Sequence, residues 1–190
     1  MCGPDGNPVG KLQRKLITVG LLLVWAVGMV WAFWWYEGQY LRSFERPAYF
    51  SGAPVSPPFE PGRIQVVHVW QSGCPCNGGH QTYVDEMTRR FSGQGVLFAR
   101  SGQAGEAGLP GELKDLPFWP IPDTWASWPG APAIAIWDAE GRLAYVGPYS
   151  DGAHCNRESS FVEPVIGTLL SGRRVNITTQ DTVSCLCDIK

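Results

Sequence analysis

The feature that most constrains this chain is an uncharged apolar run at residues 16–36, L-I-T-V-G-L-L-L-V-W-A-V-G-M-V-W-A-F-W-W-Y. The run has 21 residues and no proline, and a helix of that length crosses a hydrocarbon core about 30 Å thick. Trp31, Trp34, Trp35 and Tyr36 cluster at its C-terminal end, where amphipathic rings suit a membrane interface. Because the run is apolar on every face, it predicts a transmembrane helix at 16–36 rather than a helix of a soluble core.

The charges that flank the run predict its orientation. Lys11, Arg14 and Lys15 precede it and Glu37 follows it. Basic residues are retained on the cytoplasmic side, so we expect residues 1–15 in the cytoplasm and the rest of the chain on the exported side, which in a bacterium is the periplasm. A cleaved signal peptide is the alternative, but its apolar region is usually shorter, and small residues rather than Trp-Trp-Tyr precede its cleavage site. We therefore predict an uncleaved anchor in the inner membrane.

The exported part has room for one domain. The chain has 190 residues and a net charge of −2, which excludes the strongly basic surface that nucleic-acid binding requires. Residues 37–62 end in S-G-A-P-V-S-P-P-F-E-P-G, a proline-rich stretch that predicts a semi-rigid linker. Beyond the linker we predict a domain at 63–170 and a cysteine-containing tail at 171–190.

Apolar strands and helical segments alternate within the predicted domain. Runs rich in β-branched and aromatic residues predict strands, and apolar residues at helical spacing predict helices. The predicted strands are 64–70, 95–100, 131–137 and 142–146, and the predicted helices are 81–91 and 160–170. A strand–helix–strand unit followed by a hairpin and a helix predicts a small α/β sheet with helices on both faces. His68, in the middle of the first strand, is predicted to be a hydrogen-bonded core or edge residue.

The compartment determines how the cysteines are interpreted. Of the six cysteines, Cys2 is predicted to be cytoplasmic and the others are predicted to be exported. The exported cysteines are Cys74, Cys76, Cys155, Cys185 and Cys187. Disulfides persist in an oxidising periplasm. Because the exported number is odd, at least one of these thiols is free, bound to a metal or paired with another chain.

Residues 66–76, V-V-H-V-W-Q-S-G-C-P-C, resemble the active-site segment of thioredoxin-like proteins. In that family an apolar strand also runs to a tryptophan, and the first cysteine follows four residues later at the mouth of a helix. A second family landmark, a cis proline that opens the strand of a later hairpin, is matched by Pro132. The match covers about residues 60–170. It implies a thioredoxin-like fold, a central mixed sheet with helices on both faces, preceded here by the transmembrane helix.

More closely, the chain is similar to an uncharacterised bacterial family of membrane-anchored thioredoxin-like proteins. Its members share C-P-C-N, a Y-S-x-G-x-x-C segment, here at 149–155, and a C-terminal C-x-C. That family has no established activity, so the resemblance implies a fold and a topology rather than a reaction.

The resemblance also implies roles for the motif cysteines. Cys74 takes the position of the nucleophile, because a helix mouth stabilises the thiolate and lowers the pKa of a thiol from about 8.5. The resolving cysteine of thioredoxin would stand where this chain has Asn77, so Cys76 comes one place early. A disulfide between Cys74 and Cys76 would close a very small ring and would be readily reduced.

In such a fold the hairpin returns toward the active-site cysteines, so the segment after Val146 is expected beside them. That placement makes Cys155 a candidate resolving thiol and His154 a candidate base or ligand. The tail cysteines, Cys185 and Cys187, lie beyond the last predicted helix. Three arrangements are open to them: a return to the site, a bond with each other, or a bond with Cys155.

Three functions fit these residues. The interpretation we favour is thiol–disulfide exchange with an exported protein, which needs no cofactor and would make the chain a thiol–disulfide oxidoreductase. Cys74 would attack the partner's disulfide, Cys76 or Cys155 would resolve the mixed disulfide, and the tail cysteines would relay electrons. Pro132 would complete the catalytic site beside Cys74.

The first alternative is a soft-metal site or metal chaperone. Cys74, Cys76, His80, His154 and Cys155 provide sulfur and nitrogen ligands suited to Cu(I) or Zn²⁺. The second alternative is structural, in which the cysteines of the motif and of the tail form disulfides that pin the tail to a non-catalytic domain.

Overall fold

The computed structural model of the chain describes residues 8–44, 55–102, 109, 111–122, 130–175 and 181–189. Residues 1–7 of the predicted cytoplasmic segment, which include Cys2, and residues 45–54 of the predicted linker lie outside the described residues. The chain divides into two compact units, residues 1–39 and 40–190.

The first unit is a single helix in its described part. Helix α1 spans Pro8–Tyr40 and contains the predicted span 16–36. Within its segment Leu12–Tyr40, the most apolar 18-residue stretch has a mean hydropathy of 2.3, and none of that stretch is buried. An apolar helix with no protein packed around it suits a lipid environment. By length and composition, α1 is therefore a candidate membrane span.

The second unit contains six strands and three helices among its described residues. In chain order these are β1 (Leu41–Phe44), β2 (Gln65–Trp70), α2 (Gln81–Ser92), β3 (Leu97–Gly102), α3 (Gly111–Lys114), β4 (Ala133–Trp137), β5 (Leu143–Gly147), α4 (Val162–Leu170) and β6 (Thr182–Cys185). The central sheet has the strand order β3-β2-β4-β5. Strands β2 and β3 are parallel, whereas β2–β4 and β4–β5 are antiparallel. This mixed sheet, with its βαβ unit, hairpin and final helix, confirms the predicted thioredoxin-like fold.

Helices α2, α3 and α4 pack against one face of the central sheet. The larger hydrophobic cluster joins Val84 and Met87 of α2 and Ile166 of α4 to Val66 of β2 and Ile134 of β4. These sheet residues alternate with residues that face the other way, as the period of a strand requires. The apolar residues whose spacing predicted α2 and α4 are thus the residues that these helices bury against the sheet.

The opposite face of the central sheet is covered differently. Its cluster contains the small side chains of Ala133 and Ala135 beside Trp137, and irregular segments near Phe59 and Trp119 pack on it. We expected helices on both faces, but among the described residues no helix covers this one. Between β3 and β4 the chain is rich in glycine and proline, which disfavour a long helix. The short helix α3 in this passage packs on the other face, and residues 103–108, 110 and 123–129 lie outside the described residues.

A second sheet pairs two strands that the sequence analysis did not predict. Strands β1 and β6 run antiparallel, in a register from Leu41↔Cys185 to Phe44↔Thr182. Strand β1 falls within the predicted linker, and β6 falls within the predicted tail. Each has four residues, too few for a hydrophobic period to be recognised. Each strand is stabilised by its partner rather than by its own sequence pattern.

His68 lies fully buried on β2 with both ring nitrogens hydrogen-bonded. Its Nδ1 is 2.6 Å from the Tyr149 hydroxyl oxygen, and its Nε2 is 3.0 Å from Thr88 Oγ1. The prediction of a hydrogen-bonded core histidine is confirmed. Burial without a compensating charge lowers the pKa of this imidazole to about 3, so the ring is neutral in the folded chain at neutral pH.

We expect the free energy of unfolding to fall by about 2 kcal/mol between about pH 7.5 and pH 5 because of His68. The unfolded chain protonates this imidazole below its ordinary pKa of 6.5, whereas the folded chain holds it neutral until about pH 3. The unfolded state therefore binds more protons in this window, and stability is lost as the pH falls. Urea denaturation of the detergent-solubilised chain, followed by tryptophan fluorescence, measures the slope.

The matched variant for this prediction is His68→Gln. Burial also lowers the pKa of His80, which acts in the same direction, so the variant should reduce the pH slope without abolishing it. A slope as steep in His68→Gln as in the wild-type chain would contradict the assignment.

Candidate functional site

The C-P-C motif lies in a tight turn between β2 and α2. Cys74 caps a 3₁₀ helix at Pro75–Gly79, and α2 begins only at Gln81, with His80 as its N-cap. We expected Cys74 to cap a helix, and the helix that it caps is this 3₁₀ helix rather than α2. The two glycines that follow the motif, Gly78 and Gly79, disfavour a continuous α-helix from the motif into α2. Since a helix dipole acts within about one turn, α2 stabilises a Cys74 thiolate less than we expected.

Both motif cysteines are bonded to the C-terminal tail. Cys74 pairs with Cys187 at an S–S distance of 2.01 Å, and Cys76 pairs with Cys185 at 1.97 Å. The Cα atoms of the two pairs are 5.9 and 5.5 Å apart, within the range that a disulfide spans. The small-ring disulfide between Cys74 and Cys76 is therefore not the bond that this structure contains. Of the arrangements left open for the tail, it adopts the return to the site.

The two disulfides lie side by side. The Sγ atoms of Cys74, Cys76 and Cys187 are all within 4.8 Å of one another. Together with Cys185 they form a small cluster on which Tyr40 and Leu41 pack. The side chains of Cys76 and Cys185 are 2 % and 5 % exposed, and Cys74 is 7 % exposed, while Cys187 is half-buried. Cys74–Cys187 is thus the more accessible bond, and Cys76–Cys185 lies deeper.

The proline landmark stands directly beside the cluster. The Ala131–Pro132 peptide bond is cis, and Cys74 Sγ lies 3.6 Å from the Ala131 carbonyl oxygen. The structure therefore brings Cys74 and Pro132 together, as the resemblance implied.

Backbone hydrogen bonds hold the tail at this position. Ala131 N–H donates to Cys187 O at 2.9 Å, and Cys187 N–H donates to Ala131 O at 2.7 Å. Gly152 N–H donates to Val183 O at 2.8 Å, and Cys185 N–H donates to Gly152 O at 3.0 Å. With β1 on its other edge, the tail is bonded along both sides as an inserted strand.

Gly130 provides the room for the tail. Its φ is +149°, and a Cβ atom at this position would lie 2.6 Å from Cys187 O and 3.1 Å from Leu186 Cβ. Any other residue would push the tail away from Ala131. The sequence analysis did not single out Gly130, Ala131 or Gly152. The one signal that could have found Gly130 is its place immediately before Ala-Pro in the resembled landmark.

Cys155 lies near the motif through its backbone but not through its thiol. Its N–H donates to Gly79 O at 2.9 Å, and a Cβ on Gly79 would lie 2.1 Å from Ala153 O, so the segment after β5 does return to the motif. The Cys155 side chain, however, is buried in the main core cluster, with a free thiol. Burial raises the pKa of this thiol to about 11, which makes it a poor nucleophile.

The predicted metal ligands are not assembled as a set. His80 is buried, with Nδ1 2.9 Å from the Cys76 carbonyl oxygen, and His154 is exposed. In the described part of the chain, the group of potential ligand atoms at the motif comprises the sulfurs of Cys74, Cys76 and Cys187 and includes neither histidine nor Cys155. The segment after β5 thus returns to the motif, but the side chains of His154 and Cys155 do not join the sulfur cluster.

Comparisons with known proteins place this geometry in context. Residues 46–189 match the family model described as "Domain of unknown function (DUF6436)", and a search of curated proteins found no match. A hypothetical protein from Sinorhizobium meliloti shares 16% identity at a TM-score of 0.54, over 80% of this chain and 97% of that one. An uncharacterized conserved protein from Geobacillus kaustophilus shares 16% identity at a TM-score of 0.53, over 78% of this chain and 95% of that one. A thioredoxin-like superfamily protein shares 17% identity at a TM-score of 0.46, over 72% of this chain and 99% of that one. At 16% identity, the likeness of the first two structures to this chain concerns the fold alone.

Proposed function

Because the chain belongs to the family described as a domain of unknown function, we propose its function from the geometry of the cysteines. The chain is a membrane-anchored thioredoxin-like protein that exchanges disulfides with another exported protein. The observation that carries this proposal is the pair of adjacent disulfides between motif and tail, beside cis Pro132.

The exchange starts at the outer disulfide. A partner thiolate attacks Cys74 Sγ, the bond to Cys187 breaks, and Cys187 leaves as a thiolate. A second partner thiol then attacks the mixed disulfide, the partner leaves with its own disulfide, and Cys74 is released. Two electrons have passed to the chain, which now holds two thiols in place of one disulfide. The reverse sequence reduces a partner disulfide.

The inner disulfide extends this exchange. Cys187 Sγ lies within 4.8 Å of Cys76 Sγ, so after the outer bond opens the Cys187 thiolate can attack Cys76 Sγ. A Cys76–Cys187 bond then forms, the Cys76–Cys185 bond breaks, and Cys185 leaves as a thiolate. The tail thus takes the resolving role that the sequence analysis assigned to Cys76 or Cys155. The short distance between these sulfurs supports a relay between the two bonds rather than a passive staple.

The anchor completes the proposal. Helix α1 spans the inner membrane, its basic flank stays in the cytoplasm, and the domain faces the periplasm. An oxidising compartment suits a site that holds two disulfides, and the anchor keeps the domain near membrane-bound or exported partners.

The order in which the disulfides open tests the proposal. We expect reduced glutathione to open Cys74–Cys187 at least roughly tenfold faster than Cys76–Cys185, because access limits thiol–disulfide exchange. Alkylation of the detergent-solubilised chain at timed intervals, followed by peptide mass mapping, identifies the freed cysteines. If neither bond reacts until the domain is unfolded with urea, both disulfides are structural staples and the exchange proposal fails.

A second candidate function is supported by the sulfur cluster itself. When reduced, Cys74, Cys76 and Cys187 present three clustered sulfurs, with Cys185 adjacent, and thiolates at such spacing suit Cu(I) or Zn²⁺. This ligand set replaces the predicted set that included His80, His154 and Cys155. We expect the fully reduced chain to retain about one Zn²⁺ after desalting, measured by elemental analysis. Cys155→Ala should retain the ion equally, and a reduced chain that retains none would refute this candidate.

A further inference from the structure

The tail occupies the site in the manner of an extended peptide. Cys185 and Cys187 stand two residues apart, so their side chains project to the same side of the strand and reach Cys76 and Cys74. Leu186, between them, projects to the other side and is fully buried. The site therefore accommodates a Cys-aliphatic-Cys sequence in one register.

The surroundings of the tail distinguish this sequence from others. Gly130 leaves room for the backbone of the tail at Cys187 and for Cβ of Leu186, and Ala131 contributes both its N–H and its C=O to Cys187. A Cys-x-x-Cys strand would turn its second cysteine to the opposite side. A charged residue in place of Leu186 would lose its hydration without gaining a partner.

The backbone hydrogen bonds that hold the tail could also be made by another extended segment. Each bond that Ala131 and Gly152 make to the tail goes to a backbone N–H or C=O, and any extended segment can supply these groups by adding a strand. Once the disulfides open, the tail is held by such bonds and by its pairing with β1. A segment of another protein with the same cysteine spacing can then take its place.

We propose that the exchange partner docks through an extended Cys-aliphatic-Cys segment that replaces the tail at Ala131 and Gly152. This inference rests on the proposed exchange function and names its substrate class. The first partner thiolate attacks Cys74 Sγ and releases Cys187, and the second attacks Cys76 Sγ and releases Cys185. Two disulfides form and two break, the two partner sulfurs are oxidised to the disulfide level, and the two tail sulfurs are reduced and take up the protons of the partner thiols, so the number of disulfides does not change.

A peptide panel tests the inference on the oxidised, detergent-solubilised full chain. The probes are a reduced peptide with the sequence of residues 181–189, D-T-V-S-C-L-C-D-I, the same peptide with glutamate in place of leucine, and a version with Cys-Leu-Leu-Cys. Reduced glutathione serves as the small-thiol control. We expect the first peptide to form the Cys74 adduct roughly tenfold faster than the other two peptides. Intact mass measurement and peptide mapping at timed intervals give the rate of adduct formation.

Two variants localise the preference. Gly130→Ala should reduce the preference for the first peptide, because its methyl group would occupy the space that the bound strand requires. Gly167→Ala, on α4, is the matched control, since a Cβ there meets nothing within 4 Å. The panel on the wild-type chain remains decisive if Gly130→Ala does not fold.

The outcomes separate this inference from the proposal beneath it. Equal rates for all three peptides, with glutathione reacting at Cys74–Cys187, would overturn the Cys-aliphatic-Cys partner and leave the exchange function standing. If neither peptides nor glutathione react with the folded chain, the exchange function itself fails. A disulfide-linked dimer joined through exchanged tails would identify a second copy of the chain as the occupant and would overturn the exported partner.

Discussion

Replacement of Cys187 by alanine is expected to lower the free energy of unfolding by about 2 kcal/mol, whereas replacement of both Cys185 and Cys187 is expected to lower it by about 7 kcal/mol. The two disulfides have sequence separations of 113 and 109 residues, so either one closes nearly the same long loop. That closure is worth about 5 kcal/mol in chain entropy. Once one bond exists, the other closes only a small ring between motif and tail, which is worth about 2 kcal/mol.

Urea denaturation of the oxidised, detergent-solubilised chain measures these differences for Cys187→Ala, Cys185→Ala and the double variant. The double loss should exceed the sum of the two single losses by about 3 kcal/mol, because only the double variant opens the long loop. Cys155→Ala is the control that removes a cysteine without removing a disulfide. Strictly additive losses would mean that the two bonds do not share a loop in solution.

This coupling has a functional consequence. The outer disulfide can open during exchange while the inner one still closes the long loop and keeps the tail docked. Opening one bond therefore removes only the smaller part of the stabilisation, and the site remains assembled for the next step. A single disulfide between motif and tail would release the tail at every turnover.

Cys74→Ser is expected to lower the rate of thiol–disulfide exchange by on the order of 100-fold or more, since it removes the sulfur that forms the mixed disulfide. The rate is measured with the reduced chain and a glutathione disulfide that carries a fluorescent dye. Cys155→Ala should retain nearly the full rate, because burial raises the pKa of the Cys155 thiol to about 11 and keeps it protonated.

The two variants together discriminate between the candidate roles. Comparable losses in Cys74→Ser and Cys155→Ala would restore Cys155 as the resolving thiol and would contradict its placement in the core. Full activity in Cys74→Ser would remove the motif from the reaction altogether.

Local patterns in the sequence predicted much of this fold. Strand β2, helix α2 and the β4–β5 hairpin lie within two residues of their predicted bounds, because a strand or helix buried on one side must repeat its apolar residues with the period of that element. The candidate span was evident because lipid demands an uninterrupted apolar run. Pro132 was identified through its resemblance to a family landmark, and the structure places it beside Cys74.

The chemistry of the site depended on contacts between distant residues. Two cysteines can pair only where the fold brings their Cα atoms within about 6 Å. The paired cysteines here are more than 100 residues apart in the sequence, and a separation of that size does not predict their distance in space. Strands β1 and β6 were missed for the same reason, since both are held by hydrogen bonds to distant parts of the chain: β1 bonds to β6, and β6 bonds also to Gly152. By itself the sequence determined the candidate span, the strands of the central sheet and the position of the motif, because those follow from periodicity and composition over short stretches. Tertiary structure alone decided that the tail enters the site, that Cys155 is excluded from it and that Gly130 makes room, because these depend on the close approach of backbones that no local pattern encodes.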